Sequence, residues 1–183
     1  MAKPVITLHS PADILAAIPA LVRFVPDNSV VALMFSHASG GQVLDVRCAI
    51  RFDLTISVAQ AAAFPETCGL SAEHNAAALL AAICEPGLDR HARQVLNTAR
   101  AALHYAGIPV LKMLTTASLT EPGQWVDPDT GEHGPTIPYT DSVLYGRAAV
   151  DRVVINASRR DIEAEFAPTE PAPLLTVEST DFA

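Results

Sequence analysis

Between Asp89 and Gly107 apolar residues recur every third or fourth position. Ala92, Val95, Leu96, Ala99 and Leu103 fall on one face, and the spacing predicts a helix over 89–106. Asp89 stands where it can cap that helix, and Gly107 where a left-handed residue ends one. A second helix is expected to start at Ser10-Pro11-Ala12-Asp13. Ser10 caps it, Pro11 fills the first helical position, which needs no N–H, and Asp13 completes a capping-box spacing. Its buried stripe is Ile14, Leu15, Ile18, Leu21 and Val22. Pro19 cannot donate to Leu15, so a kink or break is expected near Ile18. The alanine-rich stretch 71–83 reads as a third helix, ended by Pro86-Gly87. Residues 141–150 read as a short helix, and Ser158 with Asp161 caps a last one running to about Phe166. Residues 57–68 carry no clear period, and Pro65 is expected to stop any helix there.

Strand signals differ from one segment to the next. Residues 29–35 (SVVALMF) are continuously apolar, as expected where both faces of a sheet are covered. After a turn at Ser39-Gly40-Gly41, residues 43–52 alternate: Leu44, Val46, Cys48, Ile50 and Phe52 point one way, Asp45, Arg47 and Arg51 the other. That is a half-solvated strand, antiparallel to its predecessor. Residues 108–114 form another strand, entered from a helix through Gly-Ile-Pro, and short strands are expected at 5–8 and 153–155. Gln124-Trp125-Val126 followed by Asp127-Pro128-Asp129-Thr130-Gly131 reads as a hairpin. The fold class is therefore α/β: a single small domain over 1–166 with a mixed β-sheet flanked by helices, and 116–140 as a Pro/Gly-rich hairpin region. Residues 167–183 form an acidic, proline-rich tail, expected to be disordered or strapped on through Leu174, Leu175 and Val177.

Composition narrows the function. The 183 residues suffice for one ordinary domain, and at 50% apolar they can bury a sizeable core. Aromatics at 5%, with much of the apolar count as alanine, point to close helix packing rather than a β-sandwich. A net charge of −8 argues against nucleic acid as a partner, because phosphate neutralisation needs clustered Lys and Arg. No apolar run reaches the roughly 18 residues that a membrane span requires. There is no uninterrupted hydrophobic leader, and three cysteines without a CxxC read as reduced thiols. A cytoplasmic protein is expected.

The segment 10–19 (SPADILAAIP) resembles the opening motif of an uncharacterised family, common in actinobacteria, that is defined only as a domain of unknown function. Phe24, Pro26 and Ser29 are similar to its turn into a long apolar strand. Arg51-Phe52-Asp53-Leu54 resembles the end of its next strand, and Ala106-Gly107-Ile108-Pro109-Val110 its helix-to-strand junction. Trp125 stands where members carry an aromatic hairpin, and Ser158-Arg159 where they start a helix. The resemblance implies no activity and no functional residues. Members place a hydrophobic strand between the two helices read here at 71–83 and 89–106. Cys84-Glu85-Pro86-Gly87-Leu88 is too short to hold one, so a sheet lacking one strand is expected.

Candidate chemistry is sparse. Cys68, His74, Cys84 and His91 carry metal-ligating atoms, but on one helix His74 and Cys84 would stand ~15 Å apart. Asp127, Asp129, Glu132 and His133 surround Gly131, where a hairpin turn accounts for them without an ion. No GxSxG, GxxxxGK[ST], GxGxxG or HExxH occurs, so no catalytic residue, cofactor or metal is expected. Two polar surfaces remain. Arg90, Arg93, Asn97, Arg100 and His104 form a basic stripe opposite the core face of the 89–106 helix, either a solvated face or a site for an acidic partner or phosphate-bearing ligand. Asp45, Arg47 and Arg51, with Asp53 beyond them, line one strand face, as paired surface charges or as a subunit contact. The favoured expectation is a non-enzymatic protein-interaction or regulatory module whose partner is another protein or a second copy in a homodimer. The alternative is a domain or enzyme acting on an anionic metabolite.

Overall fold

The structure is a computed structural model that describes residues 7–37 and 44–166. In chain order the elements are α1 (Pro11–Val22), β1 (Ser29–His37), β2 (Leu44–Asp53), α2 (Val58–Thr67), β3 (Ala77–Ile83), α3 (Asp89–Tyr105) and β4 (Val110–Thr116). A hairpin of β5 (Gln124–Val126) and β6 (His133–Pro135) follows, then α4 (Val143–Val150) and α5 (Arg159–Glu165). The strands make one mixed sheet in the order β2-β1-β3-β4-β5-β6. Only β3 and β4 are parallel, joined through α3; the other neighbours are antiparallel.

The sheet is covered on both sides. On one face Val30, Ala32 and Met34 of β1 and Ala78, Leu80 and Ala82 of β3 pack against Phe64 of α2 and the expected α3 stripe, Ala92, Val95, Leu96, Ala99 and Leu103. On the other, Val31, Leu33, Leu79, Ala81 and Leu114 meet Leu15 and Ile18 of α1, with Trp125 closing the far end. Central strands covered twice need apolar residues at their covered positions, which is why Val30–Phe35 of β1 and the whole of β3 are unbroken apolar runs.

That geometry overturns the reading of 71–83 as a helix. Residues 77–83 are β3, fully buried between β1 and β4. Alanine favours a helix in isolation, but here small side chains let α2 and α3 approach the sheet closely, and burial overrides propensity. The strand thought missing is β3 itself, and the helix before it is α2. Pro65 does not stop α2; it sits in its last turn, two residues before its end at Thr67. Pro19 likewise lies inside α1, which runs on without a break to Val22 and ends at Arg23 (φ 71°).

The other ends vary. The Ser10–Asp13 capping box forms as expected, with Asp13 N–H donating to Ser10 Oγ at 3.1 Å and Ser10 N–H to Asp13 Oδ2 at 3.0 Å. On α5 Ser158 N–H donates to Asp161 Oδ2 at 2.8 Å, one half of the same box. Asp89 is the first residue of α3 rather than its cap. Gly107 adopts the expected left-handed conformation (φ 77°). Residues 153–155 form no strand; Asn156, just beyond them, makes a single bridge to Phe24. Thr7 and Leu8 are not in a strand. Residues 5–6, the 39–41 turn and the 167–183 tail lie outside the described residues.

Candidate functional site

The polar side of α3 divides in two. Arg90 and Arg93 are exposed, with no ion-pair partner among the described residues. Farther along, Arg100 donates to Asn97 Oδ1 at 3.0 Å and ion-pairs with Asp129 at the tip of the β5–β6 turn. The turn is rigid enough to hold that aspartate. Asp127, 4% exposed, accepts from Asp129 N–H at 2.9 Å, and Gly131 supplies the positive φ (73°) the reversal needs. Lys112 of β4 secures the same turn, at 2.5 Å from Glu132 and 3.7 Å from Asp127, while lying 5.6 Å from the Trp125 ring centre. Its hydrogen bond to Glu132 holds the ammonium above its usual range. The acidic cluster at 127–133 is thus a charged hairpin turn. It also covers β4, which pairs with β5 only at Thr115 and Thr116.

Beside this latch the surface turns apolar. The β3–β4 register steps from Ala78↔Val110 to Leu79↔Lys112, leaving Leu111 as the extra, bulged residue. The bulge allows Val110 and Met113 to face one core while Leu114 faces the other, and it leaves Leu111 58% exposed. Tyr105, at the end of α3, is 95% exposed. Near them Arg100, Ala101, His104, Pro109 and Val110 line an open depression of about 380 Å³. Sequence reading found Arg100 and His104 but not Tyr105 or Leu111. Tyr105 was within reach, because it lies off the core face of α3.

The charged residues of β2 do not all share one face. The register jumps from Met34↔Cys48 to Phe35↔Val46, so Arg47 is bulged and the alternation reverses across it. Asp45 therefore does not share a face with Arg51. Arg47 instead donates to Asn75 Oδ1 at 3.2 Å. Arg51 is used within the chain: Nε donates to Ser29 Oγ at 2.9 Å, Nη2 lies 2.5 Å from Asp53, and the guanidinium stands 5.6 Å from the Phe24 ring centre. Its side chain is only 9% exposed. Nη1 is buried with no hydrogen-bond partner among the described residues. Asp53 also meets Arg159 of α5 at 3.4 Å.

His74 lies in a turn and Cys84 just past β3, so the helical spacing used to separate them does not apply. Among the described residues no group of three or more His, Cys, Asp or Glu side chains is placed to hold a metal ion. Burial, and after it the Asp89 carboxylate, pushes the Cys84 thiol up to about 11, so it stays protonated at neutral pH. His91 contacts the Leu54 carbonyl at 2.6 Å. Among the described residues no helix is long and apolar enough to cross a membrane.

These features define a single α/β domain whose chief distinguishing surface is a latched helix–hairpin face. A family model described as a domain of unknown function, DUF4192, matches residues 11–181, and the chain belongs to that family. The resemblance carried by the 10–19 motif is to such a family. The expected shortfall is not there, since β3 is present and the match runs through residue 181. No curated protein and no solved structure matches the chain.

Proposed function

We propose that the domain is a non-enzymatic protein-interaction module that receives an acidic segment carrying an apolar side chain, on the surface formed by the end of α3 and the start of β4. The observation that carries this reading is the exposure of Tyr105 and Leu111, which follow His104 and Val110, two residues lining the depression with Arg100. Tyrosine and arginine dominate the energetics of protein interfaces, and a bulge that keeps a leucine in solvent is a cost without a partner to cover it. The alternative, an anionic small molecule at Arg90 and Arg93, draws on their lack of ion-pair partners. Neither lines the depression. The free thiols of Cys48, Cys68 and Cys84 suit a reducing, cytoplasmic setting.

A random peptide library displayed on phage, selected on the immobilised protein, tests the reading without knowing the partner. Peptides pairing Asp or Glu with an aromatic or aliphatic residue should be enriched. Tyr105→Ala combined with Leu111→Ser should weaken them about tenfold or more, with the melting temperature nearly unchanged. Equal binding to the double variant would remove this surface. Binding of inorganic phosphate lost on Arg90→Ala with Arg93→Ala would favour the alternative. A second copy as partner is tested by light scattering behind a sizing column, where a uniform 19.3 kDa species excludes the homodimer. A sheet lacking one strand would have favoured such a dimer through its open edge, but β3 is present.

A further inference from the structure

Asp129 stands at the tip of the β5–β6 turn, yet the turn makes no use of its carboxylate. The reversal is held by Asp127, whose Oδ1 accepts from Asp129 N–H at 2.9 Å and whose carbonyl accepts from Gly131 N–H at 2.9 Å. Thr130 adds its Oγ1, which accepts from Glu132 N–H at 3.2 Å. Among the described residues the Asp129 carboxylate meets only Arg100 of α3. Arg100 is not spent on the fold either. Its side chain is 40% exposed, and it is the one arginine lining the depression at the end of α3. An ion pair this exposed adds little to stability. What it changes is charge: Asp129 neutralises Arg100, just as Glu132 and Asp127 answer Lys112.

We propose that Asp129 is a built-in competitor, its carboxylate occupying on Arg100 the place that a carboxylate of the partner segment takes. The domain is then weakly self-inhibited, and this rests on the reading that an acidic segment docks at the end of α3. The exchange needs only a side-chain rotation at residue 129. The backbone there is held by Asp127, and Lys112 secures the base of the turn on its own. One ion pair on the guanidinium is replaced by another, so a bare acid gains nothing by displacing Asp129. A segment that also covers Tyr105 and Leu111, both exposed, gains apolar contacts that the short aspartate side chain does not make. The competitor thus selects for acids that bring an apolar anchor. Its strength is modest, since a screened surface pair holds its partner by a factor of about five or less.

The test runs the peptide selection in parallel on the unaltered protein and on Asp129→Asn, which removes the charge and keeps a residue suited to turns. Affinities of the enriched peptides, fluorescently labelled, are read by anisotropy in about 0.15 M salt, where charges more than about 8 Å apart are largely screened. Asp129→Asn should bind them about two- to fivefold more tightly. Adding Arg100→Ala should cancel that gain. Both side chains are exposed, so the variants should fold, and the emission of the sole tryptophan checks that they do. Peptides that bind the unaltered protein and gain nothing from Asp129→Asn overturn the competitor while the docking surface stands. A gain that survives Arg100→Ala overturns it too, because Asp129 would then act elsewhere than on Arg100. If neither protein enriches acidic peptides, the competitor and the docking reading fall together.

Discussion

Gly134 of β6 lies directly against Trp125 of β5: a Cβ built on the glycine would fall 3.0 Å from the indole carbon Cζ2 and from Nε1. The two are cross-strand partners, and the missing side chain lets a large ring close one end of the core at 6% exposure. Gly134→Ala should therefore destabilise by about 1–3 kcal/mol, because the ring must shift from a packed position. Urea unfolding followed by the emission of this single tryptophan measures it, with a red shift of the native spectrum. Unchanged stability and emission would mean that the ring has room to move.

Arg100 and Asp129 join α3 to the hairpin, yet both side chains are about 40% exposed (40% and 42%). Solvent screens such a pair, and a double-mutant cycle to alanine should return a coupling of no more than about 1 kcal/mol. Lys112→Met should cost more, about 1–3 kcal/mol, because it removes the cation facing Asp127, whose side chain is only 6% exposed. If Arg100→Ala proves the costlier change, the hairpin is held chiefly from the helix.

Cys84 gives an alkaline signature. Its folded thiol is pushed up to about 11 from a reference near 9.0, so the folded state keeps its proton where the unfolded state loses it. The contribution is fully present below pH 9 and disappears as pH rises toward 11. At about 1.4 kcal/mol per pH unit, the wild type should lose on the order of 2–3 kcal/mol over that window. Lys112, also raised, loses its pairing in the same direction. The measurement is therefore the difference between wild type and Cys84→Ala, in chemical denaturation at pH 8, 9, 10 and 11. Parallel curves would show that Cys84 reaches solvent more easily than its 2% exposure implies.

How much of this was legible in the chain depended on whether local periodicity decided the outcome. The α3 stripe could be read because an amphipathic helix writes its burial into every third or fourth residue, and all five core positions are fully buried. Ser10 and Asp13 were legible because a capping box is closed within four residues. The AALLAAI of β3 was not, since its strand character comes from β1 and β4 on either side, and alanine alone favours the wrong state. Both bulges were also hidden. Where Arg47 and Leu111 slip the register, a period-two reading assigns residues to the wrong face, and the slip is set by the partner strand. Of the candidate site, Arg100 and His104 followed from helical spacing, while Leu111 owes its exposure to such a slip.

Arg51 offers the sharpest test of what a buried cation does in this fold. Its stem and guanidinium lie against Phe24, two of its nitrogens hold Ser29 and Asp53, and the third is buried without a partner among the described residues. Arg51→Ala removes the packing and both hydrogen bonds, and should cost about 2–4 kcal/mol. Arg51→Met keeps an apolar stem over Phe24 and takes away the unpaired nitrogen. Asp53 is not stranded by it, being 46% exposed and still facing Arg159. Its cost should be nearer 1 kcal/mol, since replacing a buried charge by a well-packed apolar chain recovers desolvation. Arg51→Lys should fall between them, because an ammonium cannot reproduce the fork that reaches two partners. Urea denaturation of the three variants orders them. If Met proves as costly as Ala, the hydrogen bond to Ser29, rather than the packing on Phe24, ties the end of β2 to the start of β1.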